Sequence, residues 1–154
     1  MNAYLALKLA CFAVVLSLLA CGPSDEQVKR VMKVGTEIAE IQKEYYPAIT
    51  ELGKVAGQIE SLSQRQDPTT KALAAELTTT QQLIADAFAA CQKALDGAVV
   101  GSMYESAEKY ILAEEQFKVL LKIALDKTKA AISESHAVLH KIAVAKTGKQ
   151  ARKK

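Results

Sequence analysis

The 154-residue chain has no tryptophan, and aromatic residues make up only 5% of it. It contains three prolines and seven glycines, so long stretches carry no residue that breaks a helix. Alanine, leucine, lysine, glutamate and glutamine are abundant instead, and no stretch alternates apolar and polar residues as a strand does. The sequence therefore predicts an all-α protein.

Residue types that carry chemistry are also scarce. The two histidines, His136 and His140, are four apart, a spacing that could place two metal ligands on one helix face. Helical zinc proteases have a glutamate after the first histidine, but here that residue is Ala137. Glu114 and Glu115 interrupt an apolar stripe, as a solvated face or paired catalytic carboxylates would. We interpret both pairs as surface residues and, with no phosphate loop or nucleophile elbow in the chain, expect no enzyme activity, metal or cofactor.

The N-terminal segment has the most specific pattern in the chain. An apolar run of about twelve residues follows Lys8 and ends in Leu18-Leu19-Ala20-Cys21. As a helix it would span about 18 Å, which is well short of a ~30 Å hydrocarbon core. The run is therefore typical of a cleaved secretory signal, and an uncleaved membrane anchor is the less favoured alternative.

Leu18-Leu19-Ala20-Cys21 resembles the lipobox of bacterial lipoprotein precursors. The resemblance implies export, cleavage before Cys21 and attachment of two or three acyl chains to Cys21, which would hold the protein stably on a bilayer. Gly22, rather than aspartate, follows the cysteine. The resemblance therefore implies the periplasmic face of the outer membrane in a Gram-negative host, and otherwise the outer face of the cell membrane. Residues 1–20 would be the signal peptide and 21–24 a lipidated tether.

The cysteines agree with an exported protein that has no disulfide framework. Cys11 would leave with the signal peptide and Cys21 would carry lipid, which leaves Cys91 without a partner. Cys91 lies on an apolar stripe and has no cationic cluster beside it. We interpret it as a small buried hydrophobe, with a reactive thiol or an intermolecular disulfide as the alternatives.

The first predicted helix runs from Ser24 or Asp25, both good N-cap residues, to Arg65. Its apolar stripe steps by three and four residues, as one face of a helix does. The stripe consists of Val28, Val31, Val34 or Gly35, Ile38, Ile41, Tyr45, Ile49, Leu52, Ala56, Ile59 and Leu62.

Pro47 falls inside this first helix. It removes one backbone hydrogen bond, but the stripe resumes in phase after it, which predicts a kink near Pro47 rather than a loop. One of the neighbouring tyrosines, Tyr45 and Tyr46, would pack the kink; the alternative is that both form an exposed aromatic patch for a partner.

Two more helices follow. Asp67 is a predicted N-cap with Pro68 at the first helical position, and the helix ends between residues 97 and 101. A capping box at 102–105 predicts the start of the third helix, which runs to about Ala145. The stripe of the second helix is Leu73, Leu77, Thr80, Ile84, Ala87, Phe88, Cys91 and Leu95.

The third helix contains two apolar phases that differ by one residue. The first is Tyr110, Ala113, Phe117, Leu120 and Ala124, and the second is Leu121, Leu125, Thr128, Ile132, Ser135, Leu139 and Ile142. The broad apolar face that results suits a helix with two neighbours. We therefore expect residues 25–145 to form an elongated, antiparallel three-helix bundle with coiled-coil-like packing.

The charge is nearly balanced, with 20 basic and 17 acidic residues, so we expect no nucleic-acid partner. The basic excess lies in residues 146–154, a tail that contains Lys149 and ends in Arg152-Lys153-Lys154. This ending resembles that of the short helical lipoprotein that links the outer membrane to peptidoglycan. The tail is either a disordered, solvated segment or a contact for an anionic cell-wall polymer or acidic partner. The function predicted for the whole chain is that of a lipid-anchored envelope protein that binds or assembles with another envelope protein.

Overall fold

The computed structural model describes residues 24–100 and 106–151, and this part of the chain is all-helical. Four helices pack against one another, and no strand occurs among the described residues. The helices are α1 (Asp25–Ser63), α2 (Pro68–Ala72), α3 (Ala74–Val100) and α4 (Ala107–Ala151). The predicted all-α class is thereby confirmed. The signal peptide, Cys21 and the capping box at 102–105 lie outside the described residues.

α1 begins with a reciprocal cap and continues through its proline. The Oγ atom of Ser24 accepts a hydrogen bond from the Gln27 backbone N–H, and the Gln27 side chain accepts one from the Ser24 N–H, at 3.3 and 3.0 Å. Helical hydrogen bonding extends past Pro47 as far as Ser63, so no loop divides α1. The helix ends two residues before Arg65, the predicted end.

The second predicted helix is divided in two. Asp67 caps α2 as predicted, because its Oδ1 atom accepts hydrogen bonds from the backbone N–H groups of Thr69 and Thr70 at 3.0 and 3.1 Å. At Leu73 the backbone leaves the helical region, with φ −106° and ψ 14°, and α3 then begins at Ala74. The apolar pattern of the sequence did not predict this break, which comes after one helical turn.

α4 differs from its prediction at both ends. It begins at Ala107, and the Oγ atom of Ser106 accepts a hydrogen bond from the Lys109 N–H at 3.4 Å. It continues to Ala151, so the first six residues assigned to the basic tail are helical. Of that tail, residues 152–154 lie outside the described part of the chain.

The described residues divide into two compact units, to each of which α1, α3 and α4 contribute a segment. The first unit contains residues 24–43 and the described part of 92–122. Its buried apolar residues are Val34, Ile38, Ala94, Tyr110, Ile111 and Leu121. Gly97 allows α3 and α4 to approach closely in this unit, because a Cβ atom added at Gly97 would lie 2.9 Å from the Cδ1 of Leu120.

The second unit contains residues 44–91 and 123–151, and it includes α2. Its main core cluster draws on α1, α3 and α4. The buried members are Leu52, Val55, Ile59, Leu62, Leu77, Ile84, Ala87, Ala131, Val138 and Ile142. Val55, which the predicted stripe omitted, is 1% exposed.

The second apolar phase predicted for α4 is confirmed at Leu121, Leu125, Thr128, Ser135 and Ile142, and it is wrong at two other residues. Buried residues recur at alternating steps of three and four through residues 121, 124, 128, 131, 135, 138 and 142. Ala131 and Val138 are completely buried, whereas Ile132 and Leu139, assigned to the predicted core, are only half-buried. The prediction followed the larger side chains, although close helix packing places the smaller ones at the centre of the interface.

Candidate functional site: helix surfaces and polar contacts

Ion pairs join α1 to α4 in the first unit. The guanidinium of Arg30 contacts Glu108 at 3.2 Å and Glu115 at 3.5 Å, and Lys118 contacts Glu37 at 2.6 Å. The contacts raise the pKa of Arg30, chiefly through its hydrogen bond to Glu108. The hydrogen bond from Lys118 lowers the pKa of Glu37. Partners follow the same order along both helices, so the two segments run in the same direction.

The second unit has equivalent pairs. Lys129 donates a hydrogen bond to Glu44, which lowers the pKa of that carboxyl. His136 Nε2 lies 3.5 Å from Glu51 Oε1. The α1 residues Glu44 and Glu51, together with Arg30 and Glu37 of the first unit, are spaced by seven, the repeat of a coiled coil. Their charges are therefore used in helix pairing, and each exposed pair contributes little by itself.

Both histidines lie on the surface. His136 forms the contact with Glu51, and His140 is exposed. Among the described residues, no three histidine, cysteine or carboxylate side chains come together as metal ligands would. The structure therefore places the two histidines on the surface, as predicted.

Glu114 and Glu115 lie in different surroundings. Glu115 is 42% exposed in its side chain and contacts Arg30, which fits the predicted solvated face. Glu114 is instead half-buried, at a position where the three-and-four spacing of the buried residues in α4 places a core residue. Its interpretation as a solvated residue is therefore wrong. Burial raises the pKa of Glu114, although a hydrogen bond with Tyr110 partly opposes the shift. The two adjacent carboxylates therefore differ in burial and in their polar contacts.

A polar contact lies in the core of the second unit. Cys91 is 5% exposed, which confirms its interpretation as a buried residue, and its Sγ atom lies 3.6 Å from the Oγ1 of Thr128. Interaction with the same thiol, after burial, contributes to the raised pKa of the Tyr45 hydroxyl. Tyr45 is buried and Tyr46 is 41% exposed, so a single tyrosine packs the region before Pro47, as predicted. The sequence pattern assigned Tyr45, Cys91 and Thr128 to apolar stripes, but it did not predict that these three residues lie together.

Large apolar side chains are exposed on all three long helices. Two of them, Phe88 and Leu95, were assigned to the core stripe of the second predicted helix, and this assignment is wrong, since they are 43% and 56% exposed. Leu112 and Val119, at 50% and 54%, lie one heptad apart on the outer face of α4. The remaining exposed members are Met32, Tyr46, Ile123 and Val144.

None of the helices in the described residues is both long and apolar enough to cross a bilayer. Comparison with protein-family models, with curated proteins and with solved structures finds no match for this chain.

Proposed function

We propose that the chain is a lipid-anchored envelope protein that binds or assembles with another envelope component through its helical surface. The observation that carries the proposal is Leu18-Leu19-Ala20-Cys21 at the end of a short apolar run. In the proposal, Cys21 carries the acyl chains and the protein lies on the periplasmic face of the outer membrane. In a host with one membrane, it lies on the outer face of that membrane.

The proposed architecture is an elongated, antiparallel three-helix bundle with coiled-coil packing and a kink in α1 near Pro47. The contacts of the second unit support the helix directions. Glu44 and Glu51 meet Lys129 and His136 in ascending order, as parallel helices require. α3 runs the opposite way to α4, because Glu76 contacts Lys141 whereas Cys91 contacts Thr128. α2 adds one short turn between α1 and α3.

The contacts that the charged side chains make support a binding or assembly role rather than catalysis. Of the adjacent carboxylates Glu114 and Glu115, one is half-buried and the other contacts Arg30, and charged residues on α1 and α4 pair with each other. The exposed Leu112 and Val119 offer apolar contact area on an outer helix face, where a partner in the proposed assembly would pack. No observation in the described residues favours the metal-handling or enzymatic alternative.

Lipidation is tested in the native host by metabolic labelling with palmitate and mass spectrometry of the purified protein. The wild-type N-terminus should be diacylated or triacylated at Cys21. Cys21→Ser should remove the label and leave unprocessed precursor, whereas Cys11→Ala, which removes a thiol inside the apolar run, should keep it. A Cys21→Ser protein that is processed and partitions with membranes like wild type would overturn the proposal.

The second candidate function is a link between the outer membrane and the cell wall through the basic tail. It is favoured by the resemblance of Arg152-Lys153-Lys154 to the ending of the peptidoglycan-linked lipoprotein. Lysozyme digests of cell walls should then contain the protein joined to muropeptides through Lys154. Electrostatic contact by Lys149 and the three terminal residues would instead give wall binding that weakens as salt rises. A chain without residues 146–154 that binds walls normally would exclude both forms.

A further inference from the structure

An open groove of about 460 Å³ lies in the second unit, where α1 is followed by α2 and α3. Arg65 and Lys71 line it, together with the side-chain amides of Gln66 and Gln81, and buried Leu77 supplies an apolar wall. The residues that line it include two cations and no acid. Its volume lies within the range of small-molecule sites, about 300–1,000 Å³.

Two acidic residues that lie close to the groove along the chain, Asp67 and Glu76, already have partners. The carboxylate of Asp67 accepts hydrogen bonds from two backbone N–H groups of α2, which lower its pKa. Glu76 accepts a hydrogen bond from Lys141 at 2.6 Å. Among the described residues, Arg65 and Lys71 form no ion pair, so both positive charges remain available to a ligand.

We propose that this groove binds a small ligand that carries an oxyanion, a carboxylate or a phosphate. The planar guanidinium of Arg65 can donate two parallel hydrogen bonds to such a group, and Lys71 adds a second positive charge. Gln66 and Gln81 donate to and accept from the polar remainder of the ligand, and Leu77 contacts its apolar part. This inference stands apart from the proposed lipid anchor, since every residue in it belongs to the second unit.

Binding is measured with the full chain in non-ionic detergent micelles, by amide chemical-shift changes during titration. The probes are inorganic phosphate, N-acetyl-dialanine and the C-terminal amide of the same dipeptide. We expect saturable shifts at residues 63–81 with phosphate or with the free acid, and none with the amide. The two active probes distinguish a phosphate source from a carboxylate source. Absence of saturable shifts with both would overturn the proposal.

A matched pair of variants separates the groove from net charge. Ala74 lines the groove and Ala75 does not, and both are exposed in the first turn of α3. Ala74→Glu should weaken binding at least about tenfold, because its carboxylate repels the ligand, whereas Ala75→Glu should change it less than about twofold. Equal weakening by the two variants would show a nonspecific charge effect and contradict the site.

The two cations are tested together. The double variant Arg65→Gln and Lys71→Gln should bind at least about tenfold more weakly, with unchanged circular dichroism, because both side chains are exposed. Lys93→Gln with Lys127→Gln removes the same charge from exposed residues outside the groove and should keep binding. Wild-type affinity in the first double variant would overturn the proposal.

Discussion

The Sγ atom of Cys91 lies 3.6 Å from the Oγ1 atom of Thr128 in the core of the second unit. Tyr45 reaches the same thiol from α1, so α1, α3 and α4 each contribute one polar side chain to this contact. Burial, and then the hydrogen bond to Cys91, raises the pKa of Tyr45, which keeps its hydroxyl neutral. A helix that slipped along its neighbours would leave these groups unpaired, so the contact favours one alignment.

Removal of the Tyr45 hydroxyl should destabilise the protein. Tyr45→Phe is expected to lower the free energy of unfolding by about 1 kcal/mol, because the interaction between its hydroxyl and the buried thiol is lost. Tyr46→Phe, at the exposed neighbouring residue, should change it by less than about 0.5 kcal/mol. Urea denaturation followed by circular dichroism measures both. Similar costs for the two variants would refute the assignment of Tyr45 to the core contact.

A charge in the core of the first unit should be costly. Leu121 is 3% exposed, so Leu121→Asp should destabilise by several kcal/mol, because a carboxylate loses its hydration there. Leu112→Asp makes the same change at a side chain that is 50% exposed and should cost about 1 kcal/mol or less, mainly through helix propensity. Thermal unfolding compares the two. If both substitutions are tolerated equally well, the placement of Leu121 in the core is wrong.

The unbroken register of α4 predicts different effects at adjacent alanines. Ala131 is completely buried and Ala130 is exposed. Ala131→Leu should cost about 1–3 kcal/mol, because three added carbon atoms enter a packed core. Ala130→Leu should stay within about 0.5 kcal/mol of wild type. Chemical denaturation is the measurement, and a reversed order of stability would contradict the burial of Ala131.

Glu114 should make stability depend on pH. Burial raises its folded-state pKa, so the stability that its protonated form contributes is present below pH 4.5, the ordinary glutamate value, and is lost as pH rises through the raised value. Glu114→Gln stays neutral and should therefore have a higher melting temperature than wild type at pH 7.

The difference between Glu114→Gln and wild type should shrink as pH falls below 4.5. Glu37 has a lowered pKa, so its protonation in acid destabilises wild type and Glu114→Gln alike. Its effect therefore cancels when the two proteins are compared at the same pH. Glu115→Gln, which removes the contact with Arg30, is the control and should give no increase. A difference between Glu114→Gln and wild type that does not change with pH would mean that the Glu114 carboxyl titrates normally.

Local chemistry was sufficient to predict the helical class and several helix ends. Ser24 and Asp67 cap the helices that follow them, because a side-chain oxygen close to the first turn satisfies backbone N–H groups within three residues. Such a contact needs no distant partner, so it can be predicted from the sequence. Leu18-Leu19-Ala20-Cys21, which resembles a lipobox, is likewise a local pattern, and the lipid anchor that it predicts remains a proposal.

Tertiary packing decided which apolar residues enter the core. Apolar periodicity assigned Phe88 and Leu95 to the core and divided α4 into two phases, because it weighs each side chain by hydrophobicity alone. The structure exposes both residues and buries Ala131 and Val138, because the space between neighbouring helices selects side chains by size and position as well as by polarity. The sequence by itself thus determined that the chain forms amphipathic helices. Only the packing of three helix faces against one another determined the register of the helices, the contact between Tyr45 and Cys91, and the partial burial of Glu114.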